Sequence, residues 1–438
     1  MKNFSTAFLC KFWIIAFTAA FLLSACSNSD SSPRKSSTES HPEKIAERID
    51  DYLYQIHYDD YNFDSLANII DKDFAPPKAA CSQVRKGNFV ARNFDWYINQ
   101  DATAIMRVKG NAQRFASISL SGAFPLFKQV DNKIDFADGA LDLLPFYAVD
   151  GINEKGLYVG INVAPTGETS MDKNKWAPHT WGLGAALKNP QSQKHYSVTY
   201  LVRFVLDNAS SVDDAIEKIQ AIDWFEPYNF PAEGETQSFH WLLADNEKNV
   251  VFEFIDNKPR FLQTNKIEEP SLTTIMTNFS NAVMADSNQQ RRDSLIQNFA
   301  LGLERYDILY ENYKDTEISF EGMKGLINKI RFSHIYTDSI SSKNFPFTDY
   351  VGAIKEDGKG VYLAEDLYKN KKILDDKFFV KKVERIQNNF KDKSNWHTTD
   401  TQLWYTTHSV VYNLNDMSFE ILLHEGFDGM KKWQKFKL

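Results

Sequence analysis

Cys81 follows Ala79-Ala80 and opens the stretch Cys81 to Trp96, CSQVRKGNFVARNFDW, in which Arg92 and Asp95 are the charged partners best suited to a thiol and an amine. The thiolate is the reactive form of cysteine, and a neighbouring guanidinium favours it. If the chain is cut before Cys81, the freed α-amine, with a pKa of about 8, can take the thiol proton itself. Nucleophile and base then belong to one residue, with no histidine required. Attack on an acyl carbon also needs donors aimed at the oxyanion, a task an asparagine amide can perform. Two plainer readings compete. In one, Cys81 is a small buried hydrophobe in a non-catalytic, ligand-binding protein, with Arg92 and Asp95 a surface ion pair. In the other, Cys81 serves a thiol protease with a distant His240 or His408, although the papain-type surroundings are absent.

Export accounts for the other two of the three cysteines. Lys2 and Lys11 precede the apolar run Phe12 to Leu23, which is short for a bilayer span and reads as a secretory signal. Leu23-Ser24-Ala25-Cys26 is similar to a bacterial lipoprotein box, in which the cysteine becomes the lipidated N-terminus. Residues 1–26 are therefore expected to be a lipoprotein signal peptide, with Cys26 anchoring the protein at the bacterial cell envelope, on a periplasmic or outer-surface face. Residues 27–40, SNSDSSPRKSSTES, form a Ser-rich tether. Cys81 is then the one free thiol of an exported chain, and no disulfide framework can form.

A hydrophobic content of 43% with 14% aromatic residues supports a sizeable core, and no second long apolar run follows the leader. The net charge of −8 argues against nucleic acid and against adhesion to anionic lipid. Ile45, Ile49, Tyr52 and Ile56 have helical spacing, and Leu66, Ala67, Ile69 and Ile70 suggest a second short helix before Ala75-Pro76-Pro77, so residues 41–80 are expected to be a helical pre-segment. Residues 81–438 form the main domain. A turn at Lys86-Gly87 makes Cys81 to Trp96 a hairpin with Cys81 directly across from Arg92. Strands are expected at Gly156 to Val163, Ser238 to Leu243, Val250 to Ile255, Leu272 to Thr277, Trp404 to Tyr412 and Met417 to Leu423. Tyr200 to Ala209, a segment capped by Ser211, and Asp286 to Tyr313 have helical patterns. Gly182-Leu183-Gly184 lacks the third glycine of a dinucleotide fingerprint, and His424-Glu425-Gly426 lacks the second histidine of a zinc motif. Asn278-Phe279-Ser280 fits a glycosylation pattern that a bacterial lipoprotein gives no reason to use.

Several segments together resemble one family. Cys81 and Arg92-Asn93-Phe94-Asp95-Trp96, then Asp150-Gly151-Ile152-Asn153-Glu154-Lys155-Gly156-Leu157 leading to Asn162, are similar to the linear amide C–N hydrolases of the choloylglycine hydrolase family, N-terminal-nucleophile enzymes that include bile salt hydrolases and penicillin V acylases. His240 to Asp245 leading to Glu253, Thr277-Asn278 and Glu304-Arg305-Tyr306 follow in the family's order, although the segment after Asn278 lacks the usual Pro-containing continuation. The resemblance runs from about residue 81 to the end. It implies an α+β fold of four αββα layers, two antiparallel sheets between helices, and hydrolysis of a linear amide by Cys81 at a new chain start. Arg92 then lies near the thiol and Asp95 touches the α-amine. Asn162 and Asn278 supply or support the oxyanion hole, and Arg305 is a second active-site arginine. The expected partners are a small-molecule N-acyl amide and, through Cys26, a membrane, with no cofactor, metal or nucleic acid and with self-association left open.

Overall fold

Alternation of period two builds this chain. In residues 103–108, Ala104, Met106 and Val108 turn to one apolar cluster and Ile105 to another, so both faces of the strand are covered. The structure, a computed structural model, describes residues 46–50, 53–64, 80–97, 103–122, 127–130, 133–136, 140–165, 192, 194–225, 237–255, 258–285, 303–331, 335–337, 353–354, 361–362, 402–425, 429–430 and 432–438, all within the unit Lys44–Leu438. The leader, the tether, the helix expected at Leu66 to Ile70, the Gly182 turn and the start of the helix expected from Asp286 lie outside the described residues.

The strands that frame the site are β1 (Ala46–Asp50), β2 (Leu53–Tyr58), β3 (Ala80–Lys86), β4 (Phe89–Tyr97), β5 (Thr103–Val108), β6 (Ser117–Gly122), β7 (Ala148–Asn153), β8 (Tyr158–Pro165), β9 (Gln237–Ala244), β10 (Asn249–Ile255), β11 (Lys258–Thr264), β12 (Ile275–Met276), β13 (Ile335–Thr337), β14 (Gln402–Asn413), β15 (Ser418–Glu425), β16 (Gly429–Met430) and β17 (Gln434–Lys437). The larger helices are α1 (Leu201–Asn208), α2 (Val212–Gln220), α3 (Leu303–Tyr313) and α4 (Phe320–Asn328). One sheet runs β1-β2-β5-β6-β7-β8-β9-β10-β11; the other runs β12-β3-β4-β14-β15-β16, with β13 on β14 and β17 on β15.

Three apolar layers separate four structural ones. Leu53, Ile105, Ile118, Leu120, Leu242 and Val251 of the first sheet meet Val90, Val410, Phe419 and Ile421 of the second. The first sheet's outer face packs on α1 and α2 through Leu201, Val205 and Ile219. The second sheet's outer face packs on α3 and α4 through Leu309, Met323 and Ile327. The result is the αββα sandwich expected from the resemblance. Ser211 caps α2 by accepting from the Asp214 N–H at 3.2 Å, as the capping pattern predicts.

Three local expectations are corrected. Residues 46–50 and 53–58 form β1 and β2, not a helix. Tyr54, Ile56 and Tyr58 also alternate with period two, and parallel pairing of β2 with β5, from Leu53 opposite Thr103 to Tyr58 opposite Val108, favours the extended form. Tertiary pairing thus overrides an ambiguous local period. The hairpin turns at Gly87-Asn88 instead of Lys86-Gly87, with Gly87 at φ +55; a two-residue turn with its glycine first is an ordinary hairpin solution. The register accordingly moves by two, so that Cys81 faces Phe94, Gln83 faces Arg92 and Ala80 faces Asp95. Finally, the strand expected over Leu272 to Thr277 narrows to Ile275–Met276, because Ser271 and Thr273-Thr274 close a turn of side-chain hydrogen bonds before it.

Candidate active site

Cys81 stands near the start of β3, 1% exposed, with its side chain toward the first sheet and against Phe94 and Val149. Arg92 lies diagonally across the hairpin on the same face, and its Nη2 is 3.6 Å from the Cys81 Sγ. Two strands of the first sheet hold that guanidinium. It donates to the Ile161 carbonyl at 2.7 Å and to the Val149 carbonyl, and it pairs with Asp150 at 2.9 Å. The Tyr412 hydroxyl donates to the other Asp150 oxygen. Burial would lower the Arg92 pKa, but Asp150 and Cys81 outweigh it and keep the guanidinium charged. Burial pushes the Cys81 thiol above its usual value, the Arg92 charge pulls it back, and the Asp95 charge raises it while the Asp95 backbone N–H lowers it.

The opposite face of the hairpin carries a second acid and arginine. Arg305 on α3 donates from Nη1 to Asp95 Oδ2 at 3.1 Å and to the Cys81 carbonyl at 3.0 Å, and from Nη2 to Asn278 Oδ1. That same Asn278 oxygen accepts the Cys81 backbone N–H at 2.9 Å. Thr406 donates to the other Asp95 oxygen at 2.5 Å. Burial raises the Asp95 carboxyl to about 7 despite Arg305, the Thr406 hydrogen bond and Arg92.

Cys81, Arg92, Asp95, Asn278 and Arg305 therefore meet around one residue. Asn162 is buried nearby on β8, but its amide donates to the Met276 and Thr277 carbonyls at 3.3 and 3.1 Å, and its oxygen accepts from Gln83 at 2.7 Å. It braces the segment leading to Asn278. The surface ion pair considered for Arg92 and Asp95 is overturned: each is fully buried and each has a different partner. The histidines considered for a protease are engaged elsewhere. His240 lies between the Thr277 carbonyl at 2.7 Å and Glu253 at 3.2 Å. His408 stacks on Phe94 and meets Thr103 Oγ1 at 3.3 Å, and burial, with Arg92, holds its pKa well below the usual value. Among the described residues, neither reaches Sγ.

Several working parts were not assigned by sequence reasoning. Asp150 opens the quoted Asp-Gly-Ile-Asn motif, so the motif was visible while its pairing with Arg92 was not. Glu253 is 1% exposed at its side chain and accepts from Ser280 Oγ at 2.6 Å and from the Asn281 and Ala282 N–H groups at 2.8 and 3.2 Å, closing the loop after Asn278. Gln83 gave no signal beyond its place two residues after Cys81. No group of three or more His, Cys, Asp or Glu among the described residues could hold a metal ion, and no described helix is long and apolar enough to cross a membrane.

Against this geometry stand the likenesses to known proteins. No curated protein matches the chain in sequence. Solved structures similar to it include penicillin V acylase from Agrobacterium tumefaciens, at 11% identity and a TM-score of 0.39, covering 78% of this chain and 82% of that one. A mutant of conjugated bile acid hydrolase from Clostridium perfringens is 13% identical with a TM-score of 0.36, covering 82% of this chain and 97% of that one. The acyl-coenzyme A:6-aminopenicillanic acid acyl-transferase family matches residues 83–339. With more than half its length so matched, the chain belongs to that family, among the N-terminal-nucleophile amide hydrolases that its sequence resembles.

Proposed function

We propose that this protein hydrolyses a linear, non-peptide amide bond of an N-acyl substrate, with Cys81 as an N-terminal nucleophile freed by cleavage of the Ala80–Cys81 bond. The observation that carries the reading is the provision made for Cys81 itself: its thiol has Arg92 at 3.6 Å, its N–H has Asn278, and its carbonyl has Arg305. Any buried cysteine must have its N–H and carbonyl partnered, but a merely structural one does not need a buried guanidinium at its thiol. Cleavage begins with attack of Sγ on the Ala80 carbonyl and loss of the amide to give a thioester and a free α-amine; water then releases Ala80 as a carboxylate. In turnover the α-amine takes the thiol proton, Sγ attacks the substrate carbonyl, and the resulting ammonium returns the proton to the leaving nitrogen. Water, deprotonated by the same amine, hydrolyses the acyl-thioester. Asn278 Oδ1 and Asp95 orient the amine, and Arg92 favours the thiolate electrostatically. Asn162 supports the oxyanion site through the segment that carries Asn278.

The acyl part is apolar, of the kind found in conjugated bile salts, fatty N-acyl amines or phenoxyacetyl amides. The body is held at the bacterial cell envelope by lipid on Cys26. The test is an intact mass with N-terminal sequencing of every fragment, followed by a panel of such amides assayed with wild type, Cys81→Ala and Asn162→Ala. The expected results are a new N-terminus at Cys81, an acyl-enzyme on its thiol, no cut in Cys81→Ala, and a fall in kcat of about a hundred-fold in Asn162→Ala. Active protein still joined through Ala80–Cys81, or hydrolysis that survives loss of the thiol, overturns the reading.

A further inference from the structure

We propose that Gln83 is a positioning residue for the chemistry at Cys81: it fixes the carboxamide of Asn162 end for end and thereby holds the segment that presents Asn278 to the nucleophile. The kinetic consequences of this rest on the amidase reading; the positioning itself does not.

Two groups at the end of this contact chain have roles that cannot be exchanged. The Met276 and Thr277 carbonyls can only accept, so the end of the Asn162 amide that faces them, at 3.3 and 3.1 Å, must be its NH2. The Asn162 oxygen therefore faces Gln83, and the Gln83 end at 2.7 Å must in turn be an NH2. That leaves the Gln83 oxygen toward the Tyr158 hydroxyl at 2.8 Å, which must donate. Burial pushes the Tyr158 pKa well above its usual value, so the phenol keeps its proton, while its oxygen faces the Arg92 guanidinium. Arg92 is the group beside Sγ. A single directional chain thus runs from the guanidinium at the thiol through Tyr158, Gln83 and Asn162 to the two carbonyls that precede Asn278.

Strand register gives the chain its leverage. Met276 pairs with Gln83 across β12 and β3, so the continuing segment brings Asn278 level with Cys81, where it accepts the Cys81 N–H. Tyr158, Gly160 and Asn162 alternate on one face of β8, and the chain crosses over the middle one. A Cβ on Gly160 would lie 2.3 Å from the Tyr158 hydroxyl and 2.4 Å from the Gln83 oxygen, closer than real Cβ contacts permit. Gly160 is thus a second, independent sign that the strand is fitted around this chain. An apolar side chain at 83 would leave the Asn162 oxygen without its donor and the Tyr158 hydroxyl hydrogen without its acceptor, free to turn toward other groups.

The experiment measures kcat and KM per titrated Cys81 thiol, together with backbone hydrogen exchange over residues 275–279. It compares wild type, Gln83→Met, Asn162→Ala, the double variant and Tyr158→Phe. Gln83→Met is expected to lower kcat about ten-fold or more, leave KM within about two-fold, and speed exchange over the segment about ten-fold, the loss of roughly one buried polar contact. In the Asn162→Ala background the same substitution should do almost nothing further, because its effect passes through Asn162. Tyr158→Phe should act in the same direction but less, and decides the matter if Gln83→Met does not fold. Additive losses in the double variant, or unchanged kcat and exchange in Gln83→Met, overturn the proposal. If wild type hydrolyses no amide, the function reading falls alone, and non-additivity of the exchange rates still judges Gln83.

Discussion

Replacing Asp95 by Asn should change how the stability of the uncut chain depends on pH, by an amount that follows from where this carboxyl sits. Asp95 is fully buried, and burial outweighs the favourable contacts with Arg305, Thr406 and Arg92, so it titrates at about 7 instead of the usual 3.8. A carboxyl whose folded pKa is raised holds its proton longer in the folded state. Its contribution to stability is whole below the unfolded pKa and is lost as pH rises through the folded one. At 1.36 kcal/mol per pH unit, that window corresponds to about 4 kcal/mol, a large part of the roughly 5 to 15 kcal/mol by which proteins are stable. Between pH 5 and pH 8 about 2 to 3 kcal/mol of it should be lost. The assay is denaturant unfolding in a Cys81→Ala background, where no cut can occur, with and without Asp95→Asn. The free-energy gap between the two chains should move by about 2 to 3 kcal/mol in favour of the Asn variant across that range. A gap constant within about 0.5 kcal/mol would rule out a raised Asp95, since a constant offset requires an Asp95 already ionised at pH 5. Titration of Asp95 also couples stability to maturation. Ala80 lies opposite Asp95 in the hairpin register, so cutting before Cys81 puts an ammonium beside this carboxyl. The pH slope should then be shallower in the cut chain.

Three further outcomes follow. Gly160→Ala should destabilise the fold by about 1 to 3 kcal/mol and reduce turnover as well, because its Cβ meets Tyr158 and Gln83; unfolding midpoints and kcat of one preparation check it. Arg305→Met should lower stability by about 3 to 5 kcal/mol at pH 8, and by less at pH 5 where Asp95 is protonated, since it strips a donor from Asp95, Asn278 and the Cys81 carbonyl. Cys26→Ser should shift the protein from the detergent phase to the aqueous phase in phase separation, and unchanged partition would end the lipoprotein expectation.

The sheet-forming periodicity and the identity of the residues around Cys81 were legible in the sequence; their pairings were not. The strand β8 alternates visibly, and α2 announces itself through Ser211 and the acidic first turn at Asp213 and Asp214. The helical reading of Ile45 to Ile56 failed because residues four apart can also alternate, and only the neighbouring β5 decides between the two. The hairpin register missed by two because a glycine in a two-residue turn can take either central position. What the sequence withholds most is contact across elements. Nothing local to Arg92 marks Asp150 as its partner, and nothing local to Asp95 marks Arg305, since each pair joins distant segments.

The register error was harmless for a reason that also excludes the plainest reading of the hairpin. Side chains on a strand alternate, so a shift of two residues keeps every side chain on its face, whereas a shift of one would exchange them all. Cys81 and Arg92 therefore share the face toward the first sheet in either register. Arg92 and Asp95, three apart on β4, must point to opposite faces, and no turn geometry could have made them an ion pair with each other. Each had to find its countercharge in a different layer: Asp150 between the sheets for Arg92, Arg305 on the helix side for Asp95. Cys81 sits where these two environments meet, its thiol in the first and its main-chain nitrogen facing the second. The period of two thus divides the labour at this residue: one face of the hairpin governs the sulfur, and the other governs the nitrogen that a cut before Cys81 would free.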